Sequence, residues 1–303
     1  MVTTNASWAY TMHAISSFAV TTKMNSDDEF ILIDNDGAAS ASGLFRDPPL
    51  NNFRVHRNET EKSFAENANF IIDIASKKNA DVYFLNNDII FTVGWIDALL
   101  TNNESILIPS CNQHVQYDAG TFATKQSMDL EEFLGHEKEL NFIVGYHRKE
   151  LNSKFKELSL AYTQYLAIPF YCVKIPVEVY SEIGLFDTDF GKGGAEDTDY
   201  CLRAYLAGFK VYLALNSYLL HFQGKSTWRG PETQFDTTVR NSDYLVAFAD
   251  KWGVSLSKLL LKHDNNVIFN NQKYMGLFES RDYKTMIADM LTDEEFKIPM
   301  IKM

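Results

Sequence analysis

Two apolar runs in the first third of the chain end on carboxylates, and this limits the folds open to it. Residues 30–37 read FILIDNDG and residues 81–88 read DVYFLNND. Each run is short and continuously apolar, as expected of a strand buried on both faces. Between them, residues 61–78 read EKSFAENANFIIDIASKK. There Phe64, Ala68, Ile71, Ile72 and Ala75 share one helical face, and lysines close the last turn. The opening MVTT predicts a very short first strand. Trp8 to Lys23 predicts a helix, Gly94 to Leu100 another, and Ser105 to Pro109 a further strand. The alternation specifies an α/β fold with a mainly parallel central sheet flanked by helices. Such sheets bind ligands at the carboxyl ends of their strands, which is where IDND and LNND lie.

Composition narrows the partners. The chain has 303 residues, 46% of them hydrophobic, enough for a sizeable core. Lys plus Arg number 28 and Asp plus Glu 40, a net charge of -12. That disfavours nucleic acid or an anionic membrane as partner, while a bound divalent cation would still admit a small anion. Three scattered cysteines, Cys111, Cys172 and Cys201, lack metal-ligand spacing and fit a reducing compartment. No apolar run approaches the ~20 residues that span a bilayer, and MVTTNASWAY lacks the features of a signal peptide. The expectation is a soluble, cytoplasmic protein.

The second half is looser. Residues 113–161 are polar and read as partly helical. YLAIPFYCVKIP returns to strand character, VEVYSEIGLFD is a short helix and turn, and GKGGAEDTDYCLRAYLAGF is a glycine-rich loop opening a helix that ends at Gly208. KVYLALNSYLLHF holds one or two strands, and Asn241 to Lys262 is an amphipathic helix.

Four polar groups close or follow these segments: Asp34 with Asp36, Asp88, Glu196 with Asp197, and His221. Taken singly, each has a structural reading as a turn residue, a helix N-terminus or a surface histidine. Their order and spacing carry more. DVYFLNNDIIFTVGWIDALL resembles the metal-binding strand end of family 2 glycosyltransferases. Residues 177–227, with their GLFD turn, ED pair, DYCLR helix and His after a strand, resemble that family's second half. FILIDNDG matches the strand holding base and ribose, and RVHRNETEKSFAENANF the segment that follows. The resemblance covers Val2 to Thr227. The sequence departs from it in a first strand reduced to VTTN, in Ser63 where the family has glycine, and in Asn86-Asn87-Asp88 for the D-x-D motif.

The resemblance implies a GT-A type nucleotide-diphospho-sugar transferase fold. Residues 1–230 would be the glycosyltransferase domain, with a nucleotide-binding half (1–110) and an acceptor and catalytic half (111–230), and residues 231–303 a helical C-terminal extension. It implies an inverting, metal-dependent hexosyltransferase that moves sugar from a nucleotide-diphosphate sugar, by preference a UDP-sugar, to a saccharide or other hydroxyl acceptor. Asp88 and His221 are the expected ligands of Mn²⁺ or Mg²⁺, and an imidazole ligand favours Mn²⁺. Asp197 is the expected general base, kept ionised at neutral pH by its place in the first helical turn, with Glu196 bonding acceptor or sugar hydroxyls. Thr4, Asn5, Asp34, Asp36, Lys62, Asn69, Asn86, Asn87, Asp88 and Lys225 are the expected donor contacts. Arg229 is a further candidate for the diphosphate. Trp228 either closes over the donor or packs on the C-terminal helices, and residues 113–161 shape the acceptor site.

Two other readings stand beside this one: a non-catalytic nucleotide-sugar-binding protein on the same fold, and a sugar-phosphate nucleotidyltransferase. Against the latter, no glycine-rich, basic loop follows the first strand. A dinucleotide dehydrogenase is disfavoured because G-x-G-x-x-G follows no strand. The sequence specifies neither the sugar, the acceptor nor the oligomeric state.

Overall fold

The computed structural model describes residues 1–37, 50–111, 129–135, 162–225 and 233–293. Its first sheet is three parallel strands: β1 (Val2–Thr3), β2 (Phe30–Asp34) and β3 (Phe53–Arg57), in the order β1-β2-β3. β2 runs in the middle with Phe30 opposite Phe53 and Ile33 opposite Val2. Helix α1 (Trp8–Thr21) connects the first two strands, with Ala14, Ile15 and Phe18 buried. Phe18 meets the edges of Phe30 and Phe91 at centroid distances of 5.0 and 5.2 Å, the geometry aromatic quadrupoles favour. β3 is absent from the sequence expectations. Its FRVHR stretch carries too much charge for a run buried on both faces, and it lies at the edge of the sheet.

Helix α2 (Phe64–Lys78) begins at Ser63, whose hydroxyl accepts from Glu66 N at 3.2 Å while Glu66 Oε2 accepts from Ser63 N at 2.8 Å. Ser63 therefore closes a capping box. The helix ends on Asn79 in the left-handed conformation.

The second sheet is mixed. β4 (Val82–Leu85), β8 (Cys172–Ile175), β6 (Ser105–Cys111), β9 (Lys210–His221) and β5 (Ile89–Phe91) are neighbours in that order, and β7 (Tyr162–Gln164) lies on β9. The parallel arrangement expected from the alternating pattern thus belongs to the first sheet and to β6–β9, while the other pairings are antiparallel. Register shifts between Pro109 and Ser110, so Ser110 pairs with Tyr218 and Leu215 to Ser217 of β9 are unmatched. This bulge re-aims the far end of β9 and lets it pair with β5.

Residues 94–98 form turns rather than the expected helix, and only Leu99–Thr101 makes a 3-10 turn. Trp95 holds this stretch to α1, its Nε1 donating to Thr22 Oγ1 at 2.8 Å. Helix α3 (Leu130–Gly135) is the described part of the polar 113–161 segment. Helices α4 (Val177–Ile183) and α5 (Glu196–Ala207) fall as expected, α5 ending at Gly208. The helix expected over Asn241 to Lys262 is two, α6 (Gln234–Trp252) and α7 (Val254–Leu261), broken at Gly253 with φ 84°. Then come α8 (Asn266–Phe269), α9 (Gln272–Glu279) and α10 (Tyr283–Thr292). Phe248, Trp252, Leu259, Tyr274 and Met286 join the same buried cluster as the sheets. Among the described residues no helix is long and apolar enough to cross a membrane.

Candidate active site

A cleft of ≈ 740 Å³ opens at the carboxyl ends of β1, β2 and β4. Its floor is set by a buried asparagine cluster. Asn35 Oδ1 accepts from Asn58 Nδ2 at 2.6 Å and from Lys62 N at 3.0 Å. Asn58 Nδ2 also donates to Asn67 Oδ1 at 2.9 Å, and Asn67 Nδ2 donates to Ser63 O at 2.9 Å. These amides tie the ends of β2 and β3 to the start of α2 and so fix the backbone of Lys62 at the cleft wall. None of the three was singled out from sequence. All three lie within the FILIDNDG and RVHRNETEKSFAENANF motifs, but only the fold shows that they meet.

Asp88 is fully buried beside His221 because β5 and β9 pair antiparallel with Ile89 opposite His221. Phe222 N donates to Asp88 O at 2.9 Å and continues that ladder. Asp88 Oδ2 accepts from Lys225 N at 2.9 Å, and Oδ1 lies 3.4 Å from His221 Nε2. Tyr171 stacks on the imidazole at 5.0 Å. Burial pushes the His221 pKa down, but pairing with Asp88 and Cys111 outweighs it and raises the pKa to about 9. Among the described residues no three His, Cys, Asp or Glu side chains gather as a preformed metal cage. A pair is what a diphosphate-bound cation needs, since phosphate and water fill the other positions. Two cis ligands about 2.1 Å from one ion stand about 3 Å apart, so a 3.4 Å separation suits the role.

The glycine-rich loop before α5 is held by its acids. Glu196 Oε2 accepts from Gly194 N at 2.5 Å and Ala195 N at 2.9 Å. This oxygen holds the loop backbone, a structural role beside the expected bonding of acceptor or sugar hydroxyls. Burial raises its pKa, against the lowering by those amides and Arg240. Asp197 Oδ1 accepts from Thr198 N at 2.7 Å and Oδ2 from Phe170 N at 3.4 Å. Burial, then the Glu196 charge, raise its pKa to about 7. Burial and the Glu196 charge thus act against the ionisation expected from the first helical turn.

The remaining expected residues divide. Thr4, Asp36, Lys62, Asn86 and Asn87 line the cleft. Asn87 is nearly fully buried, and its Nδ2 donates to Ser7 Oγ at 2.7 Å and Thr11 Oγ1 at 2.9 Å, clamping the start of α1. Asp36 accepts from Asn5 N at 2.8 Å, so Asn5 serves through its backbone and stays outside the lining. Asp34 is buried and accepts from Gly37 N at 2.8 Å, a turn role. Asn69 is a structural clip: Phe186 N donates to its Oδ1 at 2.7 Å and its Nδ2 donates to Phe186 O at 2.9 Å. Asp88, His221, Glu196, Asp197 and Lys225 do not line the cleft as it stands. Trp228, Arg229 and residues 136–161 fall outside the described residues.

A parallel three-stranded sheet beside a mixed sheet, with a cleft at the strand ends, is an α/β architecture that solved structures share. The crystal structure of GalNAc-T7 with UDP, GalNAc and Mn²⁺ superposes with a TM-score of 0.54 at 14% identity, over 95% of this chain and 53% of that one. This chain thus spans about half the length of GalNAc-T7. Mannosyltransferase PcManGT from Pyrobaculum calidifontis in complex with GDP-Man and Mn²⁺ gives a TM-score of 0.46 at 12% identity, over 97% and 86% of the two chains. S. aureus TarS 1–349 in complex with UDP-GlcNAc gives 0.47 at 14%, over 96% and 79%. No protein-family model and no curated protein matches the sequence. On the GalNAc-T7 superposition the fold is of the GT-A type.

Proposed function

We propose that this chain is an inverting, metal-dependent glycosyltransferase of the family 2 kind, moving a sugar from a UDP-sugar to an acceptor hydroxyl. Residues 1–230 form the catalytic unit and 231–303 its helical extension. The observation that carries the reading is the β5–β9 register, which holds Asp88 and His221 as a pair at one strand end beside an asparagine-lined cleft. Asp88 and His221 would hold Mn²⁺ or Mg²⁺, which when bound would act as a Lewis acid and offset the charge on the diphosphate. Thr4, Asp36, Lys62 and Asn86 line the donor cleft. Asp197 takes the acceptor hydroxyl proton as the acceptor oxygen bonds the anomeric carbon. The bond from that carbon to the diphosphate oxygen breaks, and its electron pair leaves with the diphosphate. One displacement from the opposite face inverts the centre. A base with a pKa of about 7 is matched to neutral pH.

Calorimetry with UDP, in Mn²⁺ and in EDTA, followed by a hydrolysis and transfer screen of nucleotide sugars, tests this. Binding that needs Mn²⁺, with turnover of one donor, supports it. Equal affinity in EDTA removes the metal role. The second reading, a non-catalytic binding protein, is favoured by the full burial of Asp88 under the Lys225 backbone. Donor binding with neither hydrolysis nor transfer to any acceptor would decide for it.

A further inference from the structure

The cleft lining has an uneven distribution of committed charge. Four carboxylates line it, Asp36, Glu61, Glu66 and Asp236, against two ammonium groups, Lys62 and Lys192. Three of the acids accept from backbone amides: Asp36 from Asn5 N at 2.8 Å, Glu66 from Ser63 N at 2.8 Å and Asp236 from Thr233 N at 3.0 Å. Neither lysine forms an ion pair or side-chain hydrogen bond among the described residues. Three of the four acids are thus engaged as caps and clips, while Glu61 and the two lysines carry no such bond in this concave site.

Lys192 has no part in the expectations above. Its loop is closely specified. Gly191 and Gly193 flank it at φ 72° and 140°, conformations that disfavour a side chain. Gly194 passes under Tyr244 of α6, where a Cβ would stand 2.2 Å from that ring, and Glu196 grips the same loop from below. A Cβ on Gly193 would stand 3.9 Å from Phe64 Cβ, so the loop abuts the start of α2, two residues from Lys62. Asp236, at the first turn of α6, is the acid whose charge is coupled to Lys192.

From this arrangement we infer that Lys192, together with Lys62, forms the anion subsite of the cleft and contacts the donor diphosphate. Asp236 competes with that ligand for the Lys192 ammonium. The inference rests on the reading of the cleft as a donor site and deepens it.

Calorimetry on the full chain with Mn²⁺ tests it with three probes: UDP, uridine and inorganic pyrophosphate. Lys192→Gln should weaken UDP and pyrophosphate by about five- to thirtyfold, as for loss of one partly solvated charged contact, and leave uridine unchanged. Lys192→Arg should keep most of the affinity. Asp236→Asn should tighten UDP by about twofold, since a screened surface charge is removed. Pyrophosphate binding that depends on Lys192 without any UDP binding upholds the anion subsite and sinks the nucleotide reading. UDP binding indifferent to Lys192→Gln, or a loss shared equally by uridine, overturns the inference and leaves the nucleotide reading standing. Failure of the wild type to bind any of the three overturns both.

Discussion

Asp197 lies in the first turn of a helix, where a carboxylate is ordinarily stabilised, yet its pKa rises to about 7 through burial and the neighbouring Glu196. Two expectations follow at this residue. The pH profile of kcat/KM should fall by about tenfold per unit below pH 7 and level off above it, because the base acts deprotonated. Asp197→Asn should lower turnover by about 10²–10⁴-fold and leave UDP affinity near wild type, which single-turnover kinetics and calorimetry separate. Stability carries the opposite sign. A carboxyl raised from its ordinary 3.8 to about 7 stabilises the fold fully below 3.8. That contribution is lost as pH rises through about 7. Asp197→Asn should therefore flatten the melting temperature between those limits. At the partner site, Asp88→Ala should abolish the Mn²⁺ dependence of UDP binding. Unchanged affinity in both Mn²⁺ and EDTA would remove Asp88 from the metal site.

Elements explain why these groups meet. β9 is one long strand: β6 follows it on both sides of the bulge at Leu215 to Ser217, while its other edge pairs with β7 before the bulge and with β5 after it. His221 reaches Asp88 through that change of partner. KVYLALNSYLLHF does not announce the bulge, since its unmatched residues have no glycine or proline. The loop before α5 depends on a different element. Gly194→Ala would drive a methyl into Tyr244, and overpacking of this kind costs about 1–3 kcal/mol. Urea unfolding should show that loss in the wild-type background and a smaller one beside Tyr244→Ala. Equal losses in both would place the strain in the backbone of Gly194 rather than in α6.

At the scale of the molecule, the C-terminal helices are part of the core. Asp199 is fully buried and joins them to α5. Arg203 Nε donates to its Oδ2 at 2.8 Å, Trp252 Nε1 to its Oδ1 at 2.8 Å, and Lys251 Nζ stands 2.7 Å away. Asp199→Ala should cost roughly 2–3 kcal/mol, below the 3–5 typical of a broken buried pair, because Lys251 can turn to water. Limited proteolysis should then cut within 233–293 before the rest. Deletion of residues 231–303 would strip Phe248, Trp252, Leu259 and Met286 from the cluster they share with α5 and the sheets. That truncated chain should give no cooperative melt. A cooperative melt near the wild-type temperature would show the extension to be a separate unit.

Local pattern and spacing were enough to determine the α/β class, most helices, the strand ends at Asp34 and Leu85, and the pairing of a glycine loop with an acid-led helix. Apolar periodicity and caps are properties of neighbouring residues and are legible along the chain. Lys174 shows the limit. It is nearly fully buried, its Nζ donating to Leu99 O at 2.9 Å and Asn102 O at 3.0 Å and pairing with Asp81 at 3.2 Å, contacts that no local pattern signals. Asn69 and Glu196 make structural bonds that the sequence did not show, and Asn35, Asn67, Lys192 and Asp236 line the cleft, for the same reason. Which groups meet, and which are already bonded, depends on register, bulges and helix docking between distant segments. Those contacts, through burial and neighbouring charge, also raise the pKa of Asp197, against the dipole of its own helix.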